Sequence, residues 1–314
     1  MMDTAPFHIH VAEGPINVFA YWIHTEDNVR LRVTYWPTDK VSKGSIFIFQ
    51  GRTENNEKYG RTAEEIHKAG YNTFAIDWRG QGLSDRLTDD RMTGHILKYS
   101  DYQKDVAAMI DAASALDLPK PWYLIGHSLG ACIGLRSITE GLLPVSACAF
   151  TAPLWDINLS LFQRYAAWSL AWTAQFLGKG HLYAPGTRGE SYVLNTAFED
   201  NRLTHDPGMY QYYINISKSL VDQQIGGPSM GWLFQTLKET RSLSKMSSPS
   251  IPCITFCGAE DSIVAAPAAQ NRMARWPNGA FDLVQGAKHD VLYESPNIRE
   301  SVIAKICDLF AAEN

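Results

Sequence analysis

The sequence lacks the features that mark several classes of protein. No stretch of its 314 residues approaches the roughly 18 consecutive apolar residues that a transmembrane helix needs. The opening residues, Met-Met-Asp-Thr-Ala-Pro, contain neither a positively charged segment nor an apolar one, so we expect no secretory signal peptide. No basic cluster stands out and the net charge is −5, which argues against nucleic acid as a partner.

Cysteine is scarce, and its spacing fits neither a disulfide framework nor a zinc site. The five cysteines are an odd number and fall mostly inside apolar segments. This pattern favours buried free thiols and therefore a reducing, cytoplasmic location. Cys253 and Cys257 lie in the strand-like segment Cys-Ile-Thr-Phe-Cys, whose spacing differs from the C-x-x-C of redox and zinc sites, so we expect both in the core.

The pattern of apolar residues predicts an α/β fold. Hydrophobic residues make up 45% of the chain and charged residues 19%, which is typical of a protein with a full-sized core. Strand-like segments occupy residues 16–23, 29–36, 45–50, 72–77, 122–126, 145–152, 251–257 and 280–284. Helix-like segments occupy residues 57–69, 102–116, 129–138, 267–276 and 298–312. After an opening hairpin this alternation indicates a mostly parallel, doubly wound sheet of about eight strands, with its site at the carboxyl ends of the strands.

One long segment interrupts the alternation. Residues 154–246 contain no convincing buried strand but many aromatic residues. Because they lie between two core strands, we interpret them as a largely helical cap inserted into a core made of residues 1–153 and 247–314. Most of the aromatic residues are expected to form the cap's own core, and the rest to line an apolar pocket. An amphipathic helix near residues 159–176 would allow transient contact with a membrane surface, although its aromatic spacing suits internal packing equally.

The most informative segment runs from Trp122 to Gly130, an apolar run that ends in Gly-His-Ser-Leu-Gly. A G-x-S-x-G sequence between a strand and a helix is the pattern of a nucleophile elbow, a turn so tight that its flanking residues must be glycine. Such a turn would present the Ser128 hydroxyl as a nucleophile. It would also leave the backbone N–H of Leu129 free to bind an oxyanion.

A serine nucleophile needs a base, and that base needs an acid to orient it. Asp261 follows the strand at 251–257 and His289 follows the strand at 280–284, which gives the chain order serine, acid, histidine of α/β-hydrolases. Glu260 is the alternative acid. We favour Asp261 because a carboxylate deeper in the loop can bend back towards a histidine.

The other histidines fit this role less well. His8 and His10 alternate along what the pattern indicates is an opening strand, where exposure explains them. His127 adjoins the serine, but the side chains of adjacent residues at a sharp elbow point apart. The remaining histidines fall before the elbow, in a helix, in a polar segment or in the cap.

A second oxyanion donor is expected in the loop after the strand at 45–50, which lies beside the elbow strand in this topology. The loop begins Gln-Gly-Arg-Thr-Glu at residue 50. Gly51 would let the backbone approach a substrate closely, so the N–H of Arg52 is the candidate partner of the Leu129 N–H.

Four motifs make the chain resemble the α/β-hydrolase superfamily, and within it the monoacylglycerol lipase and lysophospholipase branch of S33-like serine aminopeptidases. Residues 50–59 are similar to that branch's H/P-G-x-x-E-x-x-x-R/K-Y segment, with Gln50 where many relatives have histidine or proline. Residues 77–84 resemble its D-x-R-G-x-G-x-S turn, in which we expect Arg79 to pair with a nearby carboxylate. Residues 126–130 match its elbow, and residues 151–154, Thr-Ala-Pro-Leu, resemble the S-A-P-x sequence that leads into its cap.

The resemblance implies an α/β-hydrolase fold and a serine carboxylic ester hydrolase acting on single-chain lipid esters such as lysophospholipids or monoacylglycerols. It implies Ser128, Asp261 and His289 as catalytic residues and neither a metal nor an organic cofactor. Two other functional hypotheses stay open. An aminopeptidase, an amidase or a small-molecule esterase could use the same residues, with Glu199 and Asp200 as candidate selectors of a substrate ammonium group. A binding protein could keep the fold without chemistry, and the oligomeric state stays open.

Overall fold

The centre of the computed structural model, which describes residues 2–313, is an eight-stranded sheet. The strands lie side by side in the order β1-β2-β4-β3-β5-β6-β7-β8. They are β1 (Phe19–His24), β2 (Arg30–Trp36), β3 (Ser45–Phe49), β4 (Asn72–Asp77), β5 (Trp122–His127), β6 (Ala147–Thr151), β7 (Cys253–Gly258) and β8 (Gly279–Val284). Each strand expected from the sequence is present, with ends that differ by a few residues.

The sheet is antiparallel at one edge and parallel elsewhere. β1 pairs with β2 as a hairpin and β2 pairs with β4 in the antiparallel sense, whereas all other neighbours run parallel. Every residue of β3, β4 and β5 is buried, because helices cover both faces of the central sheet. The predicted α/β-hydrolase architecture is confirmed.

Helices connect the strands and fill both layers. The core helices are α1 (Ile9–Ala12), α2 (Gly60–Ala69), α3 (Asp101–Ala115), α4 (Leu129–Thr139), α9 (Ala266–Met273) and α10 (Pro296–Ala311), and the helices between β6 and β7 are α5 (Leu161–Phe176), α6 (Tyr192–Asn195), α7 (Pro207–Ser219) and α8 (Met230–Leu243). A 3-10 turn, Asn56–Tyr59, precedes α2, and its start is capped by the Asn55 side chain. The opening strand expected around His8 and His10 is wrong, because His10 lies in the single turn of α1.

Between β6 and β7 the chain contributes no strand to the sheet. α5 starts with a capping box in which Ser160 and Gln163 bond reciprocally, and α7 starts with Asp206 accepting from Met209 N–H and with Pro207 in its first turn. Local sequence therefore fixes both helix starts. Among residues 2–313, no helix is both long and apolar enough to cross a bilayer.

The aromatic residues of this helical region fall into two groups. Tyr210, Tyr212, Tyr213 and Trp232 are buried against the core. Most of those of α5 point outwards instead: Phe162 is 82% exposed and Phe176 is 77% exposed, whereas Trp168 packs on Phe234 of α8. Internal packing thus accounts for the first group and leaves the second group unexplained.

Candidate active site

Ser128 occupies a strained turn between β5 and α4. Its backbone has φ 49° and ψ −111°, outside the regions that side-chain-bearing residues ordinarily adopt. Glycines permit the turn: a Cβ on Gly130 would lie 1.9 Å from the carbonyl oxygen of Phe49, and one on Gly126 would lie 3.0 Å from the Cα of Ala131. The geometry is that of a nucleophile elbow, with the serine at the carboxyl edge of the sheet.

Asp261 and His289 meet at the same edge, although they come from the ends of β7 and β8. His289 Nδ1 lies 2.7 Å from Asp261 Oδ2, and both side chains are buried. Asp261 Oδ1 also accepts the N–H groups of Ile263 and Val264, at 2.7 and 3.1 Å. Burial alone would raise the pKa of Asp261, but the hydrogen bond from His289 and these N–H groups outweigh burial and lower that pKa.

Glu260, the alternative acid, faces another partner. Its side chain is 55% exposed and lies 3.0 Å from Nε2 of His205, at the start of α7. Of the two acids proposed from the sequence, the structure brings only Asp261 to His289.

The His289 ring lies in the neighbourhood of the elbow. Its centroid is 5.0 Å from that of His127, the residue before Ser128. Among residues 2–313 the ring makes a single hydrogen bond, to Asp261, and none to the Ser128 hydroxyl. Hydrogen bonds between nucleophile and base are often long in ligand-free enzymes and tighten when substrate binds.

The two backbone N–H groups predicted to bind an oxyanion come from segments that follow neighbouring strands. Leu129 is the first residue of α4, and Arg52 lies in the turn after β3, which pairs directly with β5. Neither N–H donates a hydrogen bond to any described residue. Gly51 allows the loop to pass close to the elbow, since a Cβ there would lie 2.9 Å from Cδ2 of His127. Both N–H groups are therefore available as donors, and their role in binding an oxyanion stays a prediction.

Beneath this loop lies a buried charged cluster formed by Glu54, Lys58, His127 and Asp290. Asp290 Oδ1 lies 2.8 Å from His127 Nε2, and Asp290 Oδ2 accepts from Lys58 Nζ at 2.9 Å. Lys58 Nζ also donates to Glu54, and Glu54 Oε2 accepts from Gly51 N–H at 2.5 Å. The cluster therefore ties the loop of Arg52 to the elbow.

Charges within the cluster stabilise one another. Burial alone would lower the pKa of His127, but the carboxylates of Asp290 and Glu54 hold it above its usual value. Burial alone would raise the pKa of Asp290, but Lys58 and His127 hold it well below its usual value.

Sequence reasoning missed the charged cluster. His127 was set aside because adjacent side chains at an elbow diverge, and its ring does turn away, towards Asp290 and towards Thr151 Oγ1 at 3.0 Å. The available signal was the four-residue spacing of Glu54 and Lys58, whose side chains pair although Glu54 precedes the 3-10 turn Asn56–Tyr59.

The cluster also contains potential metal ligands. One donor atom each from Glu54, His127 and Asp290 lies within 4.8 Å of the others. The Lys58 ammonium contacts both carboxylates and supplies positive charge at that position. The donor set is thus already neutralised by the chain's own side chains.

The Asp-x-Arg-Gly-x-Gly turn is structural. Asp77 accepts from Arg32 Nε at 2.8 Å and from Leu83 N–H at 2.9 Å. Its carboxylate fills the space beside Gly82, where a Cβ would lie 2.1 Å from the carboxylate carbon. Arg79 bonds to Asp105 at 2.7 Å and to Asp27 at 2.9 and 3.0 Å, so its predicted carboxylate pairing is confirmed.

Gln50 uses its side chain away from the site. Its Nε2 donates to Ile76 O and, at 3.1 Å, to Asp77 Oδ1. The departure from histidine or proline at this position therefore adds no side-chain hydrogen bond to Ser128 or His289.

Two cavities adjoin the helices between β6 and β7, and neither has Ser128 or His289 in its walls. One, of about 90 Å³, lies beside α7 and the charged cluster and has Lys58, Tyr213 and Asp290 in its walls. The other, of about 540 Å³, lies between α5 and α8, and its walls combine apolar side chains with charged ones: Trp155, Leu161, Tyr165, Trp168 and Leu237 with Asp156, Arg164 and Arg241. Leu154 comes directly before Trp155, which lines the second cavity, and its N–H donates to the carbonyl oxygen of Ser128 at 3.0 Å.

Comparison with known proteins agrees with this geometry. A family model described as "Serine aminopeptidase, S33" matches residues 40–296, which is most of the chain and includes the elbow, Asp261 and His289. The chain belongs to this family. It is a serine hydrolase of the α/β-hydrolase superfamily, and the resemblance to the lysophospholipase and monoacylglycerol lipase branch is confirmed.

Individual relatives of this S33 family member carry the same signal. Lysophospholipase L2 of Escherichia coli strain K12 is 28% identical over 285 residues, which cover 86% of this chain and 81% of that protein. The probable lysophospholipase L2 of Haemophilus influenzae is 26% identical over 271 residues, which cover 86% and 84%.

Solved structures extend the likeness to the fold. A soluble variant of monoglyceride lipase from Saccharomyces cerevisiae has a TM-score of 0.73 at 16% identity, covering 93% of this chain and 94% of that one. Monoacylglycerol lipase from Paleococcus ferrophilus has a TM-score of 0.70 at 18% identity, covering 90% and 99%.

Proposed function

We propose that the protein hydrolyses carboxylic esters of single-chain lipids, namely lysophospholipids or monoacylglycerols, through a covalent acyl-enzyme. The observation that carries the proposal is the buried His289–Asp261 hydrogen bond beside the strained Ser128 turn. A buried carboxylate that orients an imidazole near a serine hydroxyl is the arrangement that activates a serine. The lysophospholipase relatives supply the substrate class.

In the proposed mechanism Ser128 Oγ attacks the ester carbonyl carbon while His289 Nε2 takes the hydroxyl proton. Asp261 holds the ring in the tautomer with the proton on Nδ1 and stabilises the imidazolium that forms. The N–H groups of Leu129 and Arg52 donate to the oxyanion of the tetrahedral intermediate. The C–O bond then breaks, and His289 returns its proton to the leaving alcohol.

Deacylation repeats these steps with water as the nucleophile. His289 takes a proton from water, the hydroxide oxygen attacks the acyl carbon, and the second tetrahedral intermediate expels Ser128, which regains its proton. The products are a fatty acid and an alcohol. None of these steps calls for a metal ion or an organic cofactor.

We assign residues 154–246 as a cap over this site and propose that the acyl chain enters the cavity between α5 and α8. The cavity wall includes the aromatic and aliphatic side chains of Trp155, Leu161, Tyr165, Trp168 and Leu237, together with the charged side chains of Asp156, Arg164 and Arg241. Burial of each CH₂ group there would contribute about 0.8 kcal/mol. A chain-length series of acyl esters measures this contribution as a rise in kcat/KM per added carbon.

We also propose that α5 makes transient contact with a lipid surface. Its sequence, Leu-Phe-Gln-Arg-Tyr-Ala-Ala-Trp-Ser-Leu-Ala-Trp-Thr-Ala-Gln-Phe, contains a single charged residue, Arg164, which pairs with Asp156 at 2.6 Å. Its outward aromatic side chains are of the kind found where a helix lies at a membrane interface.

We propose a cytoplasmic location for the enzyme because its five cysteines are all free thiols.

The decisive experiment compares wild type with Ser128→Ala. We expect the variant to lose turnover of a p-nitrophenyl acyl ester and labelling by a fluorophosphonate probe, while circular dichroism shows an unchanged fold. Labelling that persists in the variant, or that maps to another serine, would contradict the mechanism.

Substrate class is decided by parallel rates on lysophospholipids, monoacylglycerols and aminoacyl amides. Preference for amides would favour the aminopeptidase alternative. Glu199 and Asp200, its candidate ammonium selectors, are exposed at the surface.

A further inference from the structure

The loop that carries His289 is held on its β7 side by close backbone contact. A Cβ on Gly258, at the end of β7, would lie 2.0 Å from the carbonyl oxygen of Lys288. Glu260 N–H donates to Ala287 O at 3.0 Å. These contacts fix where the loop begins, but they stop short of His289 itself.

The opposite side of the loop is held by the cap. Asp290 N–H donates to Leu203 O at 2.8 Å, and His289 N–H donates to Arg202 O at 3.4 Å. Lys288 Nζ donates to Asn201 O at 2.8 Å. Three successive residues of the histidine loop thus bond to three successive carbonyls of one cap segment, residues 201–205, which we call the cap strap.

The conformation of the cap strap depends on one side chain, the buried amide of Asn201. Its Oδ1 accepts the N–H groups of Leu203 and Thr204, at 2.8 and 3.0 Å. Its Nδ2 donates to Phe198 O at 2.6 Å and to Thr204 O at 3.1 Å. An asparagine that bonds to the backbone on both sides in this way folds the chain into a tight turn.

The far end of the cap strap is anchored to the segment just beyond the histidine loop. The Thr204 hydroxyl lies 2.8 Å from Tyr293 O, and His205 N–H donates to Glu294 Oε2 at 2.9 Å. The other oxygen of Glu294, Oε1, accepts from Lys288 N–H at 2.8 Å. Glu294 is fully buried and therefore joins strap and loop without competition from water.

We propose that Asn201 is a positioning residue for His289: by folding the cap strap, it sets the place of the imidazole relative to Ser128. The proposal rests on the catalytic role proposed for His289. Asn201 itself touches neither Ser128 nor His289 through its side chain. Displacement of a reacting group by about 1 Å can lower a rate about 100-fold, which is why a remote turn can matter.

The test compares Asn201→Ala, Asn201→Ser and the matched control Asn195→Ala. Asn195 lies in the same cap, is exposed and donates only to Ser191 O, at 2.9 Å. The measured quantities are kcat and KM on a short, soluble p-nitrophenyl ester, with active sites counted by fluorophosphonate titration. Counting sites separates a misplaced base from a misfolded fraction.

We expect kcat per titrated site to fall about 10- to 100-fold in Asn201→Ala, with KM within about threefold of wild type. The kcat per site of Asn201→Ser should lie between those of wild type and Asn201→Ala. A serine hydroxyl can accept one of the two N–H hydrogen bonds, although more weakly. The low-field NMR signal of the proton between His289 Nδ1 and Asp261 should move or broaden in Asn201→Ala and stay in place in Asn195→Ala. A purely structural role would leave this signal and the rate per site unchanged.

Lys288→Met provides a second route should Asn201→Ala not fold. It removes the bond to Asn201 O while the strap turn stays intact. We expect a smaller loss in kcat that is less than additive with Asn201→Ser, as for two parts of one contact. A kcat per site equal to that of wild type in Asn201→Ala, Asn201→Ser and Lys288→Met would overturn the positioning role. A change confined to KM would overturn it as well. Activity that survives Ser128→Ala would instead remove the function on which it rests.

Discussion

The proposed cap, residues 154–246, contains two regions that relate to the core in opposite ways. The segment from residue 201 to residue 232 is fastened to it: Tyr212 donates to Ala12 O at 2.7 Å, Tyr213 to Asp290 Oδ2 at 2.7 Å, and Arg52 to Gly226 O at 2.8 Å. α5 packs mainly on α8 and leaves a row of aromatic side chains in solvent. The fastened region is thus continuous with the active site, while the α5 region has a face free for an amphiphilic partner.

The prediction with the largest expected effect compares Asp261 with its neighbour Glu260, the acid that the fastened region contacts. It tests whether that region influences the catalytic residues by positioning them or through its charge. His205 of the cap pairs with Glu260, next to Asp261. Asp261→Asn should lower kcat about 10,000-fold, because the imidazole loses the acceptor that fixes its tautomer. Glu260→Gln should stay within about twofold, since an exposed ion pair contributes little. A severe loss in the Glu260 variant, seen in the same kinetic assay, would mean that the cap supplies charge to the triad.

Stability should differ between the two cap regions. Tyr212→Ala removes a buried ring that also stacks with the Arg61 guanidinium at 4.1 Å, and we expect a loss of about 3–5 kcal/mol in the free energy of unfolding. Phe162→Ala on α5 should change it by less than about 0.5 kcal/mol. Urea unfolding followed by fluorescence measures both. Similar losses in the two variants would erase the distinction between the regions.

Affinity for lipid membranes should depend on α5, the region whose exposed side chains matter least for the free energy of unfolding. Phe162→Ser with Phe176→Ser should weaken partitioning onto phospholipid vesicles at least about 100-fold, since each aromatic side chain contributes roughly 1.5–3 kcal/mol when buried. Turnover of a soluble ester should not change. Ile16→Ser with Val41→Ser, at two exposed apolar positions outside the cap, is the matched control. A sedimentation assay in which control and test pairs lose equal affinity would refute an α5 contact.

The smallest effect concerns pH and the charged cluster that Tyr213 contacts. The pKa of His127 is raised in the folded protein above its ordinary value of 6.5, so its stabilising charge is fully present below pH 6.5 and is lost as pH rises through the folded pKa. Between the two values the free energy of unfolding should fall by up to about 1.4 kcal/mol per pH unit relative to His127→Gln. Denaturation curves of wild type and His127→Gln, recorded side by side from about pH 6 upwards, measure the difference in the free energy of unfolding. A difference that stays the same at every pH would contradict this prediction.

The fold could be predicted because its signals are local. The continuous apolar run of β3 and the alternation of β2 each indicate a strand without reference to the rest of the chain. Gly126 and Gly130 mark the elbow for the same reason. The extended start expected around His8 was wrong because four residues there close a single helical turn, too short to leave a periodic pattern.

The candidate site could be predicted only in part. Chain order and loop position indicated Ser128, Asp261 and His289, and their catalytic roles stay predictions. The charged cluster and the cap strap escaped because they depend on contacts between distant segments, such as Asp290 with Leu203. The outward face of α5 could be predicted only as one of two alternatives, because apolar spacing is the same whether a helix packs on protein or on lipid.

The 1.9 Å that would separate a Cβ on Gly130 from the Phe49 carbonyl has a consequence for how the enzyme can change. The helix behind Ser128 packs directly against the end of the strand that leads to Arg52, which leaves these segments little room to move relative to one another. Under the proposed function, adaptation to longer or shorter acyl chains would therefore fall to α5 and α8, which enclose the proposed acyl cavity. Exchanging those helices between family members is the natural way to engineer selectivity without disturbing the chemistry.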